Sequence, residues 1–408
     1  MKIVKKLTAA VAAVCLAATT SCSATIGKNS QNALTVDGVE IGSGMLVYQT
    51  ISAYDKAVSM LSDQNSETPT VKDVKNSKID EKDAVDWIQD KATEELLNYA
   101  AVIKKSEENG ITLTDEEKEE SKSIAEYIYA MDSRPQQNGV SVETFYKISD
   151  ASYLQDKLFE HYFGLGSEMG CSEDELKDFF KENFARIKYF SISLTNSDGE
   201  AFSDDELRDI NKKADEYVRK INKKSGELDK LWELDAANDE YKEYVQSLNT
   251  TTAAEGETVE TTTTAAEETT TEAETTTTNP YANERLFQKQ TTAADDSTSE
   301  NTETSLSEEN YQKFNDFIFN ELKPGEAVKY QYDKDNLYII MKADIEERMT
   351  EDDYWSEDYI KDLLQLRFYE KFQDYMKEYA SSLDVKKNNS AYRRFEPFSL
   401  NLEKTSSY

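Results

Sequence analysis

Histidine and cysteine, whose nitrogen and sulfur so often carry chemistry, are scarce in this 408-residue chain. There is one histidine, His161, and there are three cysteines, Cys15, Cys22 and Cys171. So small a set cannot supply the repeated nitrogen and sulfur ligands of a zinc, copper or iron–sulfur centre, which removes those enzyme classes. His161 lies beside Tyr162 and Phe163 where a helix ends. It reads as an ordinary residue of a helix C-terminus, where the dipole favours the charged imidazole. Cys171, in Gly170-Cys171-Ser172, precedes a helix start, a place that favours thiolate. With no second ligand or base nearby, it reads as a small, partly buried residue or an interchain contact. The acid pairs Asp204-Asp205 and Asp352-Asp353 have the composition of a hydrolase or calcium site, but each is read as opening a helix, where the dipole explains carboxylates. No metal and no cofactor is expected. With 81 acidic against 47 basic residues, the net charge is −34. That field repels phosphate backbones, so nucleic acid is excluded as a partner.

The amino terminus reads as an address. Lys2, Lys5 and Lys6 precede an uncharged run from Leu7 to Thr20, too short to span a bilayer but right for an export signal. It ends in Thr19-Thr20-Ser21-Cys22. This resembles a bacterial lipoprotein signal over 1–22, with Thr19 where such signals usually carry Leu, and implies that Cys22 becomes a lipidated N-terminus. Plain secretion, with Cys22 removed or free, is the alternative. Either way the expected location is extracytoplasmic, on the first reading lipid-anchored to the cell membrane. Cys171 is then the only cysteine of the mature domain besides the lipid site, so no intramolecular disulfide is expected.

The elements that would position any site are mostly helices. Leu34 to Ile41 alternates apolar and polar around Asp37-Gly38, a hairpin signal. Leu46, Ile51, Tyr54, Val58 and Leu61 fall at helical spacing, and a longer helix is expected from Asp83 to Glu108, stopped by Gly110. Thr114-Asp115-Glu116-Glu117 forms a capping box for the next helix. Further helices are expected over Val142–Ser149 and Ala151–Phe163, and a second capping box, Ser172 to Glu175, opens a helix that ends near Asn183. The period then changes. Ile187 to Leu194 reads as a strand, Ser203 to Glu206 caps a helix through Ile221, and Leu228 to Val245 is helical. Between Thr250 and Thr278 there are fifteen Thr, seven Glu and no Lys, Arg or aromatic residue. Such a stretch cannot offset its chain entropy by burying apolar surface. Asn249 to Ser305 is therefore read as a disordered insert, interrupted only at Tyr281 to Phe287. A helix from Ser307 to Leu322, strands Ala327–Tyr332 and Leu337–Lys342, and a helix Ser356–Ser381 follow. The fold class expected is α+β, mainly α. A helical domain over 34–183 is completed by a C-terminal helix in 350–385, an α/β module over 185–345 is interrupted by the insert at 249–305, and 386–408 forms a polar tail. The aromatic face of the last helix is read chiefly as core, with client binding as the alternative.

The order of signal, Val-Asp-Gly-Val-Glu-Ile hairpin, helix, long helix ending Glu-Asn-Gly-Ile and then Leu-Thr-Asp-Glu-Glu resembles the N-terminal chaperone domain of PrsA-type foldases and of SurA. Ser172 to Asn183 running into Arg186-Ile187-Lys188-Tyr189-Phe190-Ser191-Ile192 resembles the passage into that family's parvulin-type prolyl isomerase domain. Phe314 to Glu326 and Leu337-Tyr338-Ile339-Ile340 resemble its closing helix and last strand. The resemblance implies an extracytoplasmic foldase whose partners are unfolded or newly exported polypeptides, held to the membrane by its lipid. It also implies a degenerate pocket. Parvulin domains carry a histidine on the first strand and another on the last, and those positions here are Ser191 and Tyr338; Phe314 alone matches the aromatic pocket. Isomerisation needs a site that binds the twisted amide better than either planar form, lowering a barrier of roughly 20 kcal/mol. With the histidines replaced, activity is expected to be weak or lost. No client-binding residues are assigned. The second reading is a non-chaperone binding or scaffold lipoprotein that uses the Thr-rich insert as a spacer.

Overall fold

The computed structural model describes residues 31–65, 68–196, 199–252, 279, 281–290 and 308–404. The chain is mainly helical with small antiparallel sheets, an α+β fold, and divides into two compact units, 1–172 with 364–408 and 173–363. Cys22, the signal and most of the Thr-rich insert lie outside the described residues.

The first unit opens on β1 (Asn32–Val36) and β2 (Val39–Gly42), joined by a two-residue turn in which Asp37 and Gly38 both have positive φ, 44° and 88°. That is the turn whose twist matches a hairpin. α1 (Ser43–Asn65) and the long α3 (Ala84–Asn109) pack together, burying Leu46, Ile51, Trp87, Ile88 and Leu96 in one core. Between them lie a one-turn α2 (Val71–Lys75) and a tight hairpin, β3 (Lys78–Ile79) with β4 (Lys82–Asp83). Gly110 ends α3 in the left-handed conformation, φ 65°. Thr114 and Glu117 cap α4 (Asp115–Met131) reciprocally, and a short α5 (Ser133–Gln137) follows. α6 is one helix, Val142–Phe163, where the sequence reading had two. Ser149 and Asp150 broke the apolar period because they are wanted by α4: the Ser149 hydroxyl donates to the Ser121 carbonyl at 2.9 Å and Ser121 donates to the Asp150 carboxylate at 2.6 Å.

The end of the chain belongs to this unit too. From Leu364 onward the last long helix packs its aromatic face on α6, with Phe372 edge-on to Phe159 at 5.4 Å and Phe368 against Phe163 at 5.8 Å. The segment after it, expected as a polar tail, is folded. Val385–Lys387 pairs antiparallel with β1, Asn388 caps a short helix at Asn389–Arg394, and Ala391, Tyr392, Phe395 and Leu402 are buried. Few in number among charged neighbours, these side chains do not average to an apolar run, yet helical spacing puts Ala391, Tyr392 and Phe395 on one side.

In the second unit α7 (Glu173–Asn183) runs directly into β5 (Phe184–Ser193), the centre of a four-stranded antiparallel sheet ordered β6-β5-β8-β7. β6 is Arg285–Gln288, β7 is Ala327–Gln331 and β8 is Asn336–Ala343. α8 (Asp204–Asn222) and α9 (Glu227–Thr252) cover one face, over Phe190, Ile192, Leu337, Ile339 and Met341. α10 (Glu308–Asp316) and the wider turn Phe317–Glu321 cover the other. β5 begins before the expected strand start at Ile187 because Arg186 and Lys188 hide in it: both are buried, Arg186 on Glu284 and Glu227 and Lys188 on Asp235. Two corrections concern the insert. α9 continues to Thr252, and Arg285–Gln288, the interruption noted in the sequence, forms the edge strand on β5. The last long helix, α11 (Glu357–Ser382), contains the division between the units, at Leu363 and Leu364.

Candidate functional site

The residues singled out as a degenerate pocket come together in the second unit. Ser191 and Tyr338 are Cα partners across β5 and β8, so their side chains share the face under α10. Phe314, on α10, sits edge-on to Tyr338 at 5.6 Å. Phe314 is buried, and rings surround it: Phe287, Tyr330 and Tyr332 have centroids within 5.3 to 5.7 Å, and Tyr189 at 6.2 Å. Tyr332 and Tyr338 stack at 4.8 Å. The cluster is closed by its own members, as core aromatics are. Burial raises the Tyr338 phenol well above the ordinary tyrosine range, and burial, helped by Asp333, pushes Tyr332 up to about 12. Ser191 stays exposed at the rim, its hydroxyl 3.5 Å from the Asn336 side-chain oxygen. Nothing in this arrangement is poised to move a proton at neutral pH.

The remaining candidates separate. His161 is exposed in the last turn of α6, against Tyr162. It lines a shallow cavity of about 400 Å³ with Gly110, Ile111, Thr112, Lys157 and Glu160. Cys171 is buried. Asp204 and Asp205 sit in the first turn of α8, behind the Ser203–Glu206 capping box. Asp352 and Asp353 do not open a helix; they lie in the turn before α11, where the Asp353 carboxylate holds Arg348, which also pairs with Glu284 at 2.9 Å. Among the described residues no three His, Cys, Asp or Glu side chains are grouped as a metal site would need. None of their helices is long and apolar enough to cross a membrane.

The apolar surface that stands out was not singled out from the sequence, and it lies on α4. Ile124, Tyr127, Ile128 and Met131 are 41, 53, 42 and 68% exposed. Spacings of three and four residues place them on one side of the helix. The buried residues of α4 are Ser121 and Ala125. Small side chains there let α4 lie close to α6, with Tyr129 packed inward edge-on to Phe145 at 5.1 Å, and the four other large apolar residues are left exposed. Sequence periodicity could have found the stripe but assigns it to the core, because amphipathic reasoning buries the large residues. Other exposed large apolar residues are fewer at each place: Leu366 with Tyr369 on α11, Leu228 with Trp232 on α9, Leu165 and Met169 in the loop after α6, and Val385 by itself.

No protein-family model matches the chain, and neither does any curated protein. Among solved structures the chain is similar to the crystal structure of a foldase protein, PrsA, from Lactococcus lactis. The two are 14% identical, with 90% of this chain and 98% of that one covered, and the TM-score is 0.27, a likeness too slight to carry an argument.

Proposed function

We propose that the protein is a lipid-anchored extracytoplasmic chaperone that holds segments of unfolded exported polypeptides, with prolyl isomerase activity weak or lost. The observation that carries this reading is the α4 stripe: two turns of uncovered Ile, Tyr, Ile and Met on a chain of net charge −34. Exposed apolar patches rimmed by polar residues mark interaction surfaces. Covering a patch on the order of 200 Å² at about 25 cal/mol/Å² stabilises by roughly 5 kcal/mol before the cost of association, which leaves weak, reversible binding. Hold-and-release is what weak binding provides. The strong like charge keeps loaded carriers apart. The sequence resemblance to extracytoplasmic foldases supports the same reading. The lipid anchor rests on the signal pattern ending at Cys22.

The full chain at a near-stoichiometric ratio is expected to suppress light scattering by a chemically denatured client, and the double variant Ile124→Ser, Ile128→Ser to lose most of that suppression. No suppression by the unmodified chain, or undiminished suppression by the variant, rejects the reading. Isomerase activity is a separate matter. Phe314, closed in by tyrosines, leaves little room for a proline ring. Refolding of a proline-limited substrate is expected to proceed at its uncatalysed rate in the presence of the chain. Clear acceleration would show that the cluster opens. The second reading, a surface scaffold with the Thr-rich segment as spacer, draws on the composition of residues 250–278.

A further inference from the structure

The side of α4 that carries the stripe does not stay apolar along its length. Ile124, Tyr127, Ile128 and Met131 occupy the C-terminal two turns, and the four-residue steps that continue from Ile124 toward the N-terminus meet Glu120 and then Glu116, both exposed. Glu117, on the same side, is already taken, by Lys157 at 2.6 Å and by the Thr114 amide. Glu120, while exposed, also accepts a hydrogen bond from Tyr153 of α6, and Glu119 and Glu126 flank the line, Glu126 accepting from the Tyr146 hydroxyl at 2.8 Å. Each four-residue step rises about 6 Å along the helix axis. In an extended chain, side chains on one face recur about every 6.6–6.8 Å. The two spacings nearly match, so an extended peptide lying along α4 sets successive same-face side chains opposite successive steps of the helix.

We infer that the α4 surface selects extended segments of the pattern apolar-x-apolar-x-cation-x-cation, with the apolar side chains on Ile124, Tyr127, Ile128 and Met131 and the Lys or Arg side chains on Glu120 and Glu116. This rests on the chaperone reading and names its clients: stretches of unfolded chain in which an apolar pair is followed by basic residues. A second copy of the same chain is the wrong occupant, because it brings the same glutamates and a like net charge. The acids give selectivity and rate of encounter, and the stripe gives the contact that excludes water.

The test uses the full chain and three fluorescent peptides, read by anisotropy at low and at physiological salt. The first is Leu-Ser-Leu-Ser-Lys-Ser-Lys, the second has Glu for Lys, and the third has Ser for Leu with both lysines kept. The first is expected to bind at least about tenfold tighter than either of the others, and its advantage over the Glu peptide to shrink as salt screens the charges. The variant Glu116→Lys, Glu120→Lys, with folding confirmed by circular dichroism, is expected to invert the preference between Lys and Glu peptides. Equal binding of the Lys and Glu peptides, or an unchanged preference in the variant, overturns the inference. So does tight binding of the Ser-for-Leu peptide, which would mean that the diffuse charge of the whole molecule attracts lysine. Failure of the chaperone reading is distinguishable: it appears as client holding that survives Ile124→Ser, Ile128→Ser, whatever the peptides do.

Discussion

Two groups of large apolar side chains occupy opposite situations in this molecule. Around Phe314 in the second unit, rings from four strands and a helix fill one another's space, and Phe314 itself is 3% exposed. On α4 in the first unit, four apolar residues at helical spacing have no such enclosure. Side-chain type does not separate the two groups, since both are tyrosine with aliphatic or aromatic partners. What separates them is the opposite side of the element. α10 presents Phe314 to a sheet whose Tyr189, Tyr330 and Tyr338 reach up to it. α4 presents Ser121, Ala125 and Tyr129 to α6, leaving Ile124, Tyr127, Ile128 and Met131 outside. The group that resembles a catalytic pocket by position is built as core, and the group with no motif is the one open to a partner.

The largest effect that can break this comparison is on stability. Phe314→Ala is expected to cost about 3–5 kcal/mol of the second unit's stability, as removal of a fully buried phenylalanine does. The α4 double variant Ile124→Ser, Ile128→Ser should stay within about 0.5 kcal/mol of the parent, as exposed positions usually do. Denaturant unfolding followed by near-ultraviolet circular dichroism checks both. A small cost at Phe314 would mean that the cluster has slack enough to admit a ligand. A large cost on α4 would mean that the stripe is covered in the folded molecule, and the docking surface would go with it.

Much of the fold was legible because its signals are local. Asp37-Gly38 specifies a turn with positive φ, and Thr114–Glu117 and Ser203–Glu206 are capping boxes whose hydrogen bonds form within four residues. Three of the failures involve polar groups satisfied at long range. Asp150 broke a helical pattern because its partner is Ser121 on another helix. Arg186 hid the start of β5 because Glu284, which neutralises it, lies beyond the Thr-rich stretch. Asn388 and Tyr392 reach Asn32 and Thr93, so the end of the chain folds where composition alone gave a tail. The alignment of Ser191 with Tyr338 follows from β5–β8 pairing, and the positions were reached through a family resemblance rather than from periodicity. The α4 stripe was illegible for the converse reason: its orientation is set by close approach at small residues, which hydropathy scores as neutral.

The smallest effect tests how tightly the closed cluster is built. The Tyr332 hydroxyl is buried and has no hydrogen-bond partner among the described residues, while its ring stacks on Tyr338 and meets Phe314 edge-on. Tyr332→Phe keeps the ring and removes the unsatisfied group, so it is expected to raise stability by up to about 1 kcal/mol at neutral pH. A second consequence appears in alkali. Burial pushes the folded phenol up to about 12, against about 10 in an unfolded chain. Below pH 10 both states hold the proton and this group contributes no pH dependence. Between 10 and about 12 only the unfolded state releases it, so stability falls as pH rises through that window. Phenylalanine has no proton to lose, and the gap between variant and parent should therefore widen steadily from pH 10 to 12 in urea-unfolding curves. A destabilised variant at neutral pH would show that the hydroxyl has a partner after all, and an unchanging gap in alkali would show that water already reaches it, which would make the cluster around Phe314 open rather than closed.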